Sequence, residues 1–128
     1  MLTDAAITTI LPVSDVSRAT AFYRDQLGLQ DLGDSPSGNH VLRTGSGSTI
    51  ELMTTEGGAQ SKHTVATFGV PDLRAEITDL ETKGVQFDDY DMPGLTTVDH
   101  IATDGTDRAA WFSDTEGNIL CLHEESPA

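Results

Sequence analysis

What most constrains the fold of this chain is a repeat. A strand-like stretch, "AITTILPV" at 6–13, leads into "SDVSRATAFYRDQLGL" at 14–29, and "HTVATFGV" at 63–70 leads into "PDLRAEITDLETKGV" at 71–85. In each copy an alternating strand ends in Val, one residue intervenes, and an Asp stands where a helix would begin. Asp15 and Asp72 are suited to accept from the free N–H groups of a first helical turn. Apolar residues then recur at helical spacing: Val16, Ala19, Phe22, Tyr23 and Leu27 in the first copy, Leu73, Ile77 and Leu80 in the second. Each helix stops at a glycine, Gly28 or Gly84, suited to the left-handed conformation that follows a helix. The two aspartates lie 57 residues apart and the two glycines 56, so the copies match with a single gap. A chain of 128 residues with this internal match is expected to be one domain, residues 1–128, built from duplicated modules.

After each helix the pattern turns to strands. The first copy reads as short strands near 29–33, 39–44 and 48–53, the last two joined by a "GSG" turn. "TTEGGAQSK" at 54–62 is a polar connection, and the second copy reads as strands near 85–90, 108–113 and 119–123. Each module is therefore β-α-β-β-β and the class is α+β, with module one at about 5–54 and module two at about 62–124. The copies differ in one respect. Gly28 to Glu51 is 23 residues, whereas Gly84 to Cys121 is 37, the excess falling around a long connection at about 91–108. It carries Met92, Pro93, Gly94 and His100. Connections of this length often close over a site, which would make His100 a ligand contact; the alternative is a surface excursion with a solvated histidine.

Two such modules in this order resemble the vicinal oxygen chelate (VOC) superfamily, whose members include glyoxalase I, extradiol dioxygenases and the bleomycin and fosfomycin resistance proteins. The resemblance rests on "ILPVSDVSRATAFYRDQLGL" and on "AAWFSDTEGNILCL", which is similar to the family's Asp-Pro-x-Gly-Asn ending with Thr115 in place of Pro. It covers nearly the whole chain. It implies the glyoxalase/bleomycin resistance fold: two tandem βαβββ modules whose curved mixed sheets form a cup, with the helices outside and the site within.

The resemblance also implies where a divalent metal would be held, by His, Gln or Glu from the first and last strand of each module. Carried onto this chain, the four positions are Thr8, Glu51, Val65 and Cys121. Only Glu51 matches. Val65 has no lone pair, Thr8 is a weak neutral ligand, and one carboxylate with one thiolate is a poor site. No cofactor is therefore expected. The alternative is one divalent metal (Zn, Ni, Fe, Mn or Co) at a displaced site of Glu51, His63, Cys121 and His123. Against it stands the roughly 6.5 Å that two residues span along a strand.

Strand alternation turns Ile50 and Leu52 toward the helix layer and Thr49, Glu51 and Met53 to the other face. There Glu51 is a candidate general base, an anchor for a cation or donor, or a structural group tied to Thr8 or water. Cys121 reads as a small buried thiol, its thiolate disfavoured by an acidic surrounding field. Trp111 is suited equally to the core, a dimer contact or a stacking platform for a ligand.

Charge narrows the partners. With 21 acidic and 7 basic residues the net charge is −14, a field that repels phosphate backbones and anionic lipid. No nucleic acid and no membrane partner is expected. Such a field favours a cationic ligand, and it equally describes a solvated acidic surface or one suited to high salt. A single Cys excludes an internal disulfide, and no apolar run approaches the roughly 20 residues of a membrane helix. A cytoplasmic homodimer is expected, because sheet edges need protection and dimers are common among relatives. Three readings follow: a metal-independent binder of a small organic molecule; an enzyme of lyase, isomerase or dioxygenase type using Glu51 or a displaced metal; and an interaction module with a vestigial cup.

Overall fold

The computed structural model describes residues 1–59 and 61–125. The chain divides into two compact units, Met1–Gln60 and Ser61–Ala128.

In the first unit a short 3₁₀ turn, Leu2–Asp4, precedes β1 at Thr9–Val13. The strand expected from residue 6 starts later because β4, Thr49–Thr54, with which it runs parallel, offers its first rung at Thr9 opposite Ile50. Asp15 caps α1, Val16–Ala21, by accepting from the Arg18 N–H at 3.0 Å. The helix expected to run on to Gly28 changes pitch after six residues. Phe22–Gln26 is a π turn, closed by the Leu27 N–H on the Phe22 carbonyl. Its wider turn narrows the angle between successive side chains, which suits two adjacent aromatics that must both go inward. Phe22 and Tyr23 are both buried, their rings edge to face with centroids 5.3 Å apart. Gly28, at φ +79°, then reverses the chain. β2 (Gln30–Asp34) and β3 (His40–Arg43) complete an antiparallel stack on β4, giving the order β1-β4-β3-β2. As the alternation of β4 requires, Ile50 and Leu52 are buried while Glu51 and Met53 face the other way.

The second unit repeats this plan. β5 is Thr64–Gly69, Asp72 caps α2 (Leu73–Thr82) by accepting from the Ala75 N–H at 3.0 Å, and Gly84 takes φ +88°. Phe87–Asp88 forms β6, Asp107–Ser113 β10 and Ile119–Glu125 β11, in the order β5-β11-β10-β6. First and last strands are parallel neighbours, as β1 and β4 are. Ala110, Phe112, Leu120 and Leu122 are buried on the α2 side with Leu73, Ile77 and Leu80.

The long connection is folded into the sheet edge and is not a free loop. β6 holds only two rungs of β10, Phe87 opposite Phe112 and Asp88 opposite Trp111. The remaining edge is covered by β9 (Ala102–Asp104), which pairs antiparallel with β10 through Asp107, Arg108 and Ala109. Between them, β7 (Asp91–Met92) and β8 (Leu95–Thr96) form a hairpin around Pro93 and Gly94. A second reversal follows at Asp99 (φ +50°) and His100 (φ +74°), between the bridged residues Val98 and Ile101. Two successive positive φ values match the twist of a two-residue hairpin turn, a conformation that costs energy for residues other than Gly.

The ending "DTEGN" is explained by its hydrogen bonds. One oxygen of Asp114, Oδ1, accepts from the N–H groups of Glu116 and Asn118, both at 2.8 Å. The other, Oδ2, accepts from the Asn118 amide at 2.8 Å, and Gly117 turns at φ +90°. Asp114 and Asn118 thereby form the corner between β10 and β11.

Candidate functional site

In the second unit, the sheet face turned away from α2 gathers the chemistry. Trp111 stands directly opposite Cys121 on β11 and Asp88 on β6. Tyr90 meets the indole edge to face, centroids 5.7 Å apart at 88°. The indole N–H donates to the Thr64 hydroxyl at 3.1 Å, so the polar end of the ring is satisfied while its body lines the face.

Thr64 reaches that position because β5 carries a bulge. Ile119 pairs with Thr64, but Leu120 pairs with Ala66 and Cys121 with Thr67. Thr64 and Thr67, three apart, therefore stand beside Ile119 and Cys121, which share a face. Counting residues along an unbroken strand selects Val65; the extra residue makes Thr64 the partner of Trp111. The odd spacing of two threonines in an otherwise apolar strand is the sequence signal that could have found it.

Burial pushes the Cys121 thiol up, against opposing hydrogen bonds with the Thr67 side chain and the Ala110 backbone. The sulfur stays a thiol, its S–H directed to the Leu122 carbonyl at 3.4 Å. Burial likewise raises the Tyr90 phenol, with the charge of Asp88 adding to it. Asp88 is raised by burial and by the neighbouring Asp89. The face is an aromatic wall edged by hydroxyls, a neutral thiol and one carboxyl group. It can stack a planar molecule and hydrogen-bond its rim, and it holds no activated nucleophile.

In the first unit, Glu51 is opposite Val41 and Ile10, on the face away from the buried Ile50 and Leu52. Its Oε1 accepts from the Asn39 side-chain amide at 3.1 Å. Asn39 is the partner that sequence reasoning missed. Thr8 lies before β1, exposed, with its hydroxyl 3.3 Å from that of Thr49, so Glu51 is tied to Asn39 and Thr8 to Thr49.

Of the second unit's histidines, His123 shares the face of Trp111 and Cys121 by alternation along β11, and His63 and His100 do not. His63 precedes β5 and is exposed, its Nδ1 3.0 Å from the Thr64 carbonyl. His123 lies 3.7 Å from Asp107. His100 is on the α2 side: its ring lies between Asp89 at 2.9 Å and Glu81 at 3.5 Å, with its centroid 5.9 Å from that of Phe87. It belongs to the opposite side of the sheet from Trp111, and not to a lid over that face. Among the described residues no three His, Cys, Asp or Glu side chains gather as a metal-binding group. The four positions named for a metal by the resemblance present a hydroxyl engaged with Thr49, a carboxylate held by Asn39, an alkyl group and a protonated thiol. That donor set does not fit a divalent oxygen-chelating ion.

Two consecutive sheets with the same order, each with an Asp-capped helix after its first strand and closed by parallel first and last strands, define a duplicated βαβββ protein. Residues 6–122 match the family model of the Glyoxalase/Bleomycin resistance protein/Dioxygenase superfamily, and the chain belongs to that family. Among solved structures it is similar to TnmS3, an antibiotic binding protein from Streptomyces sp. CB03234, at 24% identity and TM-score 0.74, over 98% of this chain and 99% of that one. A superfamily member from Sphaerobacter thermophilus DSM 20745 is 21% identical, with TM-score 0.75 over 98% and 100% of the two chains. Lactoylglutathione lyase from Agrobacterium tumefaciens is 18% identical, with TM-score 0.70 over 97% and 96%. No curated protein matches the chain. No helix among the described residues is long and apolar enough to cross a membrane.

Proposed function

We propose that this protein binds a small, planar organic ligand against the Trp111 face, without the divalent metal that the family resemblance implies. The observation that carries this is the Tyr90–Trp111 pair with its indole N–H held by Thr64, an aromatic surface fixed in orientation with a carboxyl group, Asp88, beside it. Fixed aromatic surface gives contact area with little rotamer entropy to lose. The net charge of −14 and the position of Asp88 favour a cationic ligand, which gains from both the field and the ring face. The antibiotic binding recorded for TnmS3 supports a binding reading for this fold. A homodimer is part of the proposal, because β2 and β6 end their sheets.

A second reading is an enzyme of lyase, isomerase or dioxygenase type, in which Glu51 acts as a base or holds a displaced metal. Its support is the carboxylate of Glu51, oriented by Asn39.

Trp111 is the one tryptophan, so its fluorescence reports on this face alone. Titration with N-methylquinolinium, neutral quinoline and 2-naphthoate is expected to give saturable quenching strongest for the cation. Calorimetry on Trp111→Leu is expected to show at least tenfold weaker binding, as loss of a stacking contact of about 1.5 kcal/mol implies. Absence of saturable quenching by any probe sinks the binding reading. Near-stoichiometric metal by elemental analysis after loading with Mn, Fe, Co, Ni or Zn, lost in Glu51→Ala, turns the conclusion to the enzyme.

A further inference from the structure

The α2 side of the second sheet holds a feature that the Trp111 face does not use. The chain has only 7 cationic residues against 21 acidic ones, yet two arginines line a single open groove of about 340 Å³. Arg74 and Arg108 share it with Thr96, Val98, Ile101 and Thr103. The first module lacks an equivalent of the connection that supplies four of these six residues.

The groove is built by register. Arg108 pairs with Glu124 on β11 and with Thr103 on β9, so all three point to the side where Ala110 and Leu122 are buried. Ile101 is buried, whereas Val98 is 71% exposed, giving an apolar floor and an apolar rim. Arg74, in the first turn of α2, donates through Nη2 to the Asp99 carbonyl at 2.9 Å. Arg108 donates through Nη1 to Glu124 at 3.0 Å. Each contact uses one nitrogen and fixes the guanidinium, leaving further N–H donors of its fork for a ligand. Two guanidinium charges against the Glu124 carboxylate leave the lining net positive, inside a protein of the opposite sign.

We propose that this groove binds a small organic oxyanion, a carboxylate or a phosphate monoester with a short apolar body. The oxyanion would lie between Arg74 and Arg108, with hydroxyls from Thr96 and Thr103 at its edge, and the apolar body on Ile101 and Val98. Planar two-oxygen groups match the guanidinium fork. The site is independent of the Trp111 face, which lies on the other side of the sheet and suits the opposite charge.

The test is an amide NMR titration at low ionic strength with phenyl phosphate, benzoate and, as an uncharged control, benzyl alcohol. Saturable shifts at Thr96, Val98, Ile101 and Thr103, with the Trp111 indole signal unmoved, are expected for at least one anion. Which anion binds more tightly assigns the headgroup. Arg74→Gln and Arg108→Gln should each weaken binding about tenfold or more, as loss of a charge-assisted hydrogen bond implies. Because Arg108→Gln also frees Glu124, Arg74→Gln is the deciding variant; its helix position is exposed and its thermal midpoint should hardly move. Unchanged affinity in Arg74→Gln, equal binding of benzyl alcohol, shifts confined to Trp111, or no saturable shift with either anion each overturns the proposal.

Discussion

Asp114 offers the most direct check on how the second sheet is held. Its side chain accepts three hydrogen bonds of 2.8 Å, two from the main-chain N–H groups of Glu116 and Asn118 and one from the Asn118 amide. Asp114 is 7% exposed and Asn118 1%. Asp114→Ala removes both acceptor oxygens and leaves three donors without their partner. A stranded buried donor costs about 1–3 kcal/mol, and partial access of water to one of them brings the expected total to roughly 3–5 kcal/mol. Against a typical domain stability of about 5–15 kcal/mol, that is a large share. The thermal midpoint should fall by roughly 10–20 °C for a chain of this size. Asp114→Asn is expected to cost less, about 1.5–3 kcal/mol, because it keeps one acceptor oxygen but sets an amide N–H against that of Asn118. Urea unfolding followed by circular dichroism measures both, and an unchanged slope against denaturant confirms that the same structure is lost. A loss below about 1 kcal/mol for Asp114→Ala would refute the argument, since it would mean that the turn satisfies its N–H groups without this carboxylate.

His40 is held by carboxylates on both ring nitrogens, Asp31 at 2.7 Å and Asp34 at 2.8 Å. Burial alone would lower its pKa, but the hydrogen bonds and charges of Asp34 and Asp31 outweigh it and raise the value above 6.5. A raised folded pKa means stabilisation that is complete below the unfolded value and lost as pH rises through the folded one. His40→Gln should therefore be most destabilising below the ordinary histidine value of about 6.5, with the gap to wild type narrowing as pH rises above it in urea titrations; a gap that widens with pH contradicts the pairing. Cys121, a buried thiol with its pKa pushed up, should react with Ellman's reagent at least about a hundredfold more slowly in the folded protein than in denaturant, and comparable rates would contradict its burial. Asp15→Ala and Asp72→Ala should each cost about 1 kcal/mol in thermal unfolding, because each removes one first-turn acceptor; no loss at either site would mean that water replaces the cap.

The parts of the fold that could be read from the residues are those set by near neighbours. A capping aspartate contacts an N–H three residues on, and a helix-ending glycine needs its positive φ whatever the rest of the chain does. Asp15, Asp72, Gly28 and Gly84 accordingly all take the conformations expected of them. The alternation of β4 is equally local, and Glu51 falls on the face opposite Ile50 and Leu52. What escaped depends on pairing between distant segments. The identity of the Glu51 partner is set by which residue at the start of the neighbouring strand lies diagonally across, and nothing in "STIELM" points to Asn39, just before β3. The connection after Tyr90 carries no long alternating run, because it pairs in short pieces, β7 with β8 in a hairpin and β9 along the edge that β6 leaves uncovered.

The bulge in β5 has the largest consequence for the site. Transferring ligand positions by counting assumes one residue per rung, and a single extra residue moves every earlier side chain to the other face. The expectation that His63 shares a face with Cys121 rests on that assumption. With Thr64 on the Trp111 face, alternation would send His63 to the opposite one, and it lies outside the strand with its ring on a backbone carbonyl. The same displacement gives the indole N–H a hydroxyl partner that regular pairing would not supply. The bulge that turns His63 away from Cys121 is thus the one that orients Trp111. The rung that counting assigns to Val65 is taken by Thr64, whose hydroxyl holds the indole N–H of Trp111 where the family resemblance would place a ligand.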